Sequence, residues 1–123
     1  DIGKYMKTIT RQMVMGEHLN RRGNLFGGQM MAWMDIASAI AASEVLKMDC
    51  VTVVADRIEF LVPVELGDIL TFNCEEVARG NTSITIGIEV LKGDKIVAKS
   101  SFKFVAIDSQ GRPSGSWNDR NKL

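Results

Sequence analysis

The chain has 123 residues, the length of one domain, and hydrophobic residues make up 46% of it, enough for one packed core. Lys plus Arg and Asp plus Glu each number 15, so the formal net charge is zero. That balance argues against nucleic acid or an anionic membrane as the main partner, and no apolar run approaches the roughly 20 residues that cross a bilayer.

The first predicted element is a short strand, Thr8 to Met15. No signal-peptide apolar region precedes it, so the expected location is the cytoplasm. His18 follows in a loop beside Glu17 and reads as a surface residue. It is the single histidine, and no Cys-x-x-Cys pair exists, so no metal site is expected. Cys50 and Cys74 are expected as two reduced thiols, packed as small hydrophobes.

The loop Asn20-Arg21-Arg22-Gly23-Asn24-Leu25-Phe26-Gly27-Gly28 leads directly into a predicted helix, Gly27 to Met48. Glycines there allow close backbone approach by a ligand. The first helical turn has unpaired N–H groups and the positive end of the dipole, which can polarise a carbonyl or hold an oxyanion. A plain glycine turn is the alternative. The helix is rich in Ala and Met, with little β-branching. It is apolar nearly all round, charged only at Asp35, Glu44 and Lys47, and is therefore expected to be buried. Asp35 lies mid-helix, and a carboxylate there needs a partner or a role. The bland partner is Ser38 or a neighbouring strand. Met13, Met15, Met30, Met31 and Met34 are either ordinary core or the lining of an alkyl tunnel.

Beyond the helix come strands. Val51 to Val62 is a long apolar one ending before Pro63. Leu70, Phe72 and Cys74 alternate with polar residues, and the alternation slips at Glu75-Glu76, where a bulge would restore it. Ile84, Ile86, Ile88 and Val90 alternate in the same way, as do Phe102, Phe104 and Ala106. Gly67-Asp68, Gly80-Asn81 and Gly93-Asp94 mark turns. From Ser109 the sequence is polar and Gly/Pro/Ser-rich, and loose order is expected. The order β-α-β-β-β-β, with one buried helix, predicts an α+β fold with an antiparallel sheet around the helix.

Gly23-Asn24-Leu25-Phe26-Gly27-Gly28 followed by Met34-Asp35 resembles the bacterial acyl-CoA thioesterases of the hotdog superfamily, small enzymes related to the eukaryotic cytosolic acyl-CoA hydrolases. The likeness runs on through Phe60-Leu61-Val62-Pro63, Gly80-Asn81-Thr82-Ser83 and Phe102-Lys103-Phe104, over about residues 8 to 113. It implies a single hotdog domain over residues 1–123, with an ordered core of about 8–108 and a flexible tail. It implies hydrolysis of acyl-CoA to fatty acid and CoA with no metal or bound cofactor. In such enzymes a helix aspartate of one subunit and a glycine-loop asparagine of another form the site. Carried over, these are Asp35, as general base or nucleophile, and Asn24, with the Gly28 N–H as oxyanion donor. Arg79, Gly80, Asn81, Thr82 and Ser83 lie where such proteins approach the nucleotide of CoA.

Geometry asks for a second copy independently. Gly28 and Asp35 are seven residues apart, roughly 10 Å along a helix axis. One thioester carbon cannot lie within about 3 Å of both. Antiparallel helices across a two-fold axis solve this, so a dimer is expected, with a trimer of dimers as the larger assembly. Two other readings compete: a non-catalytic acyl-CoA-binding protein with the same groove, and an enoyl hydratase. The second generally uses a histidine, and none lies near Asp35 in the predicted helix.

Overall fold

The computed structural model describes residues 6–114. They form β1 (Lys7–Met13), a 3-10 turn (Gly16–His18), α1 (Gly27–Leu46), β2 (Cys50–Phe60), β3 (Ile69–Arg79), β4 (Ser83–Lys92) and β5 (Lys95–Ala106). The strands make one antiparallel sheet in the order β1-β3-β4-β5-β2, packed on the single helix. The expected element order is the one observed.

Alternation decides the buried face. Leu70, Phe72 and Cys74 of β3, Ile84, Ile86, Ile88 and Val90 of β4, and Phe102, Phe104 and Ala106 of β5 are all buried. They form one core with Met30, Trp33, Met34, Ala37 and Ala41 of α1. Truncating one of the large aromatics would cost about 3–5 kcal/mol. The bulge that restores the β3 pattern lies between Glu76 and Ala78, just after the expected slip. A second register shift, between Asp56 and Glu59, carries Arg57 at φ 35°, and the Ser100 hydroxyl donates to the Asp56 carbonyl across it.

The helix differs from expectation on one side. Its sequence predicts burial all round, yet Met31, Ile36 and Ile40 are 42%, 55% and 39% exposed. One sheet covers only one side of a helix. Next to that bare side, β2 is an open edge with Val51, Val53 and Val54 exposed. The opposite edge, β1, carries Lys7, Thr8, Thr10 and Arg11, which protect it from pairing. A protomer alone therefore leaves one contiguous apolar side uncovered.

α1 ends at Lys47, which adopts the left-handed conformation (φ 55°, ψ 36°) while its N–H donates to the Ser43 carbonyl at 2.7 Å. That conformation costs a residue with a Cβ about 1 kcal/mol and a glycine nothing. Lys47→Gly should therefore raise stability by about 1 kcal/mol, a few degrees in Tm at fixed protein concentration. A lower Tm would show that the lysine side chain contributes more than the strain costs.

The tail departs from expectation as far as it is described. Asp108 Oδ1 accepts the N–H groups of Gln110 and Arg112 at 2.9 and 3.0 Å. Ser114 N–H returns to the Ala106 carbonyl at 2.8 Å. An aspartate that captures its own downstream backbone makes a fixed turn out of a polar, glycine-containing stretch. Residues 115–123 lie outside the described ones. No helix among the described residues is long and apolar enough to cross a membrane.

Candidate active site

The loop before α1 is organised by Asn20. Its Oδ1 accepts the N–H groups of Arg22 (2.9 Å) and Asn24 (3.2 Å), and its own N–H donates to the Asn24 carbonyl at 2.7 Å. Gly23 turns the chain between them at φ 83°, a conformation that favours glycine. Asn24 also bridges to Glu65, so its backbone belongs to the loop framework.

Phe26 is the N-cap residue, extended and without a side-chain cap. The N–H groups of Gln29 and Met30 both donate to its carbonyl, at 3.0 and 3.1 Å. Those of Gly27 and Gly28 precede the first complete turn and are left as donors. Gly28 is short of space for a reason internal to the protomer. A Cβ there would lie 2.5 Å from the Phe26 ring. A valine at Gly28 would therefore disturb Phe26 whether or not substrate approaches. Beside the helix start is a cavity of about 260 Å³, lined by Asn24, Gly27, Met30, Phe60, Val62 and Val97 among others. Of the five methionines considered for a tunnel, only Met30 borders it. Met34 is fully buried core, and Met13, Met15 and Met31 are 51%, 48% and 42% exposed. A tunnel of five methionines is not formed within the protomer.

Asp35 lies further along the same helix and is half-buried rather than fully buried. Its Oδ1 accepts the Thr52 hydroxyl of β2 at 2.6 Å. Thr52 fixes one carboxylate oxygen and leaves Oδ2 available. The other suggested partner, Ser38, is fully buried and sits beside Cys74 in the core. Both cysteines are free. Burial pushes the Cys74 thiol up to about 12. Burial also raises the Cys50 thiol; the Ser43 hydroxyl opposes this, and the charges of Asp49 and Asp35 add to it. A thiol so shifted is a poor nucleophile, which leaves Asp35 as the reactive group of this region.

The Arg79–Ser83 segment reaches the same end of the sheet. Arg79 pairs with Ile84, Ile84 with Phe104 and Phe104 with Thr52, in one row across four strands. At about 4.8 Å per strand, Arg79 stands roughly 14 Å from Thr52. The turn is closed by Gly80 N–H to the Ser83 carbonyl at 2.8 Å, and Ala106 N–H holds the Thr82 carbonyl at 2.8 Å. Arg79 is already engaged, however. Its Nε and Nη2 reach the two carboxylate oxygens of Glu76 at 2.6 and 2.7 Å. The bulge at Glu76/Ala78 makes this pair: without it, residues three apart on a strand face opposite ways.

Three residues of the site were not singled out from the sequence. Thr52 gave no local signal. Asn20 was visible as the start of the glycine loop, but nothing ranked it above Asn24. His18, expected at the surface, packs its ring edge-on against Trp33, with centroids 4.8 Å apart and planes at 78°. No group of three metal-ligating side chains is present among the described residues.

A thioesterase superfamily model matches residues 22–99. The chain is 36% identical over 114 residues to the acyl-CoA thioester hydrolase YciA of Escherichia coli, covering 85% of this chain and 86% of the relative. Among solved structures it is similar to a hexameric thioesterase of Yersinia pestis, with TM-score 0.85 and 35% identity over 90% of this chain and 95% of that one. It is also similar to a Staphylococcus aureus acyl-CoA hydrolase solved with butyryl-CoA and CoA, with TM-score 0.79 and 29% identity over 85% of this chain and 68% of that one. Alanine mutants of the Staphylococcus aureus enzyme replace an asparagine, an aspartate 15 residues later and a threonine 17 residues after that.

Proposed function

The chain belongs to the thioesterase superfamily, and from that premise we propose how it works as an acyl-CoA thioester hydrolase. The observation that carries the reading is a carboxylate, Asp35, fixed by Thr52 on the one helix whose glycine start leaves its N–H groups uncapped. Asp35 Oδ2 takes a proton from water, and the water oxygen adds to the thioester carbon. The resulting oxyanion is held by the Gly28 N–H of the facing protomer. Collapse breaks the carbon–sulfur bond, the proton passes to the departing sulfur, and free acid and CoA leave.

Spacing supports placing the asparagine of this site at Asn20 rather than Asn24. Asn20, Asp35 and Thr52 stand 15 and 17 residues apart, the intervals of the three residues replaced in the Staphylococcus aureus enzyme. Asn20 also positions the loop through its Oδ1, which leaves its amide N–H groups to face substrate. The Arg79–Ser83 turn is proposed as the nucleotide end, at a distance a pantetheine arm can span. Arg79 would share its charge there with Glu76.

The site is shared. Asn20 and Gly28 of one protomer meet Asp35 and Thr52 of its partner, because α1 separates Gly28 from Asp35 by roughly 10 Å. The bare face of Met31, Ile36 and Ile40 and the open β2 edge are the surfaces that pair. Three such dimers make the hexamer, the assembly of the Yersinia pestis structure.

Thiol release over acyl-CoAs of increasing chain length tests this reading. Turnover that liberates CoA is expected. Tight binding without turnover would make the chain an acyl-CoA sensor, and water addition to an enoyl-CoA without thiol release would make it a hydratase.

A further inference from the structure

We propose that His18 is a positioning residue, whose imidazole clamps the Asn20–Gly28 loop to the helix that carries Asp35. The proposal rests on the assignment of Asn20 and Asp35 above. His18 Nδ1 accepts the Met15 N–H at 2.9 Å, so the ring is neutral in this arrangement, with its proton on Nε2. The same ring stands edge-on to Trp33, which is 7% exposed and is itself braced by the fully buried Phe72, at 6.3 Å and 83°. The His18 carbonyl accepts the Phe26 N–H at 2.8 Å, and Phe26 is the N-cap of α1. One residue thus joins the end of β1, the core face of α1 and the start of the helix. The segment it closes, residues 18–26, contains Asn20 and ends at the uncapped glycines.

Histidine suits this place because two features are needed at once. An in-plane acceptor must meet the Met15 N–H, and a flat ring must pack on Trp33. Phenylalanine supplies only the ring. Asparagine supplies only the acceptor, with its Oδ1 near the Nδ1 position. An aromatic contact of this kind contributes about 0.5–1.5 kcal/mol, enough to select one loop position without making the fold depend on it. Trp33 is two residues from Asp35 and five from Gly28, so a loop anchored there is referenced to both ends of the reaction site.

The test is steady-state hydrolysis of butyryl-CoA by the intact oligomer, checked by size-exclusion chromatography, with thermal unfolding in parallel. His18→Ala should lower kcat about 10- to 100-fold with KM changed less than about threefold, as misplacement of a positioned group does. His18→Phe and His18→Asn should each recover part of that loss, and both remain informative if the alanine variant does not fold. In an Asn20→Ala background, His18→Ala should change kcat less than about twofold, because the group it positions is gone. Wild-type kcat in His18→Ala beside an impaired Asn20→Ala would overturn the proposal. So would an undiminished His18 effect in the Asn20→Ala background, which would mark a general loss of packing. Wild-type kcat in Asn20→Ala would instead defeat the Asn20 assignment, and the clamp's role with it.

Discussion

Asp35→Asn should lower kcat for acyl-CoA hydrolysis by about 10²- to 10⁴-fold, the usual contribution of a positioned base. Asparagine keeps the shape of the side chain, and its Oδ1 still accepts the Thr52 hydroxyl that now bonds Asp35 at 2.6 Å. What disappears is the ability to take a proton or to attack carbon. Because Asp35 is half-buried and has a neutral partner, losing its charge leaves no buried cation unpaired. The Tm should therefore stay within a few degrees of wild type. A folded Asp35→Asn protein that hydrolyses at near-normal rate would remove Asp35 from the chemistry. Thr52→Ala should fall between the two, because it frees the carboxylate without deleting it.

Mixing two inactive subunits should restore activity. An Asn20→Ala protein and an Asp35→Ala protein are each expected to be poorly active, since every site in either one carries a lesion. Co-expression lets dimers form at random, and half of them are mixed. In a mixed dimer with shared sites, one site receives both substitutions and the other receives neither. About a quarter of all sites are then intact, and activity should recover to roughly that fraction of wild type. Assembly of dimers into hexamers leaves the fraction unchanged. If Asn20 and Asp35 served the same protomer's site, no mixture would contain an intact one. No recovery, with mixed assemblies confirmed by mass spectrometry, would refute the shared site. It would also leave the bare face of Met31, Ile36 and Ile40 without its proposed role.

The periodic parts of the fold were legible in the sequence. Ile84, Ile86, Ile88 and Val90 announce their strand and its inner face because side-chain direction along a strand repeats every two residues. The helix was legible from composition, and its start from the glycines that precede the apolar run. Asp35 stood out because a carboxylate in such a helix demands a reason. All of these are local properties, carried within a few residues of the position concerned.

Tertiary structure decided what depends on how distant segments meet. Thr52 becomes the partner of Asp35 only because β2 crosses to the far edge of the sheet and lies beside α1. Glu76 meets Arg79 because a bulge, placed two residues from where the alternation slips, turns both side chains to one face. His18 leaves the surface because the loop folds back onto Trp33, 15 residues further on. The helix keeps an exposed apolar side because one sheet covers only one flank. An all-round apolar pattern states that a helix will be covered and not by which chain. Periodicity is a property of the backbone's own geometry, so a sequence carries it. Pairing across the fold depends on register and crossing position, which the whole chain settles together through packing.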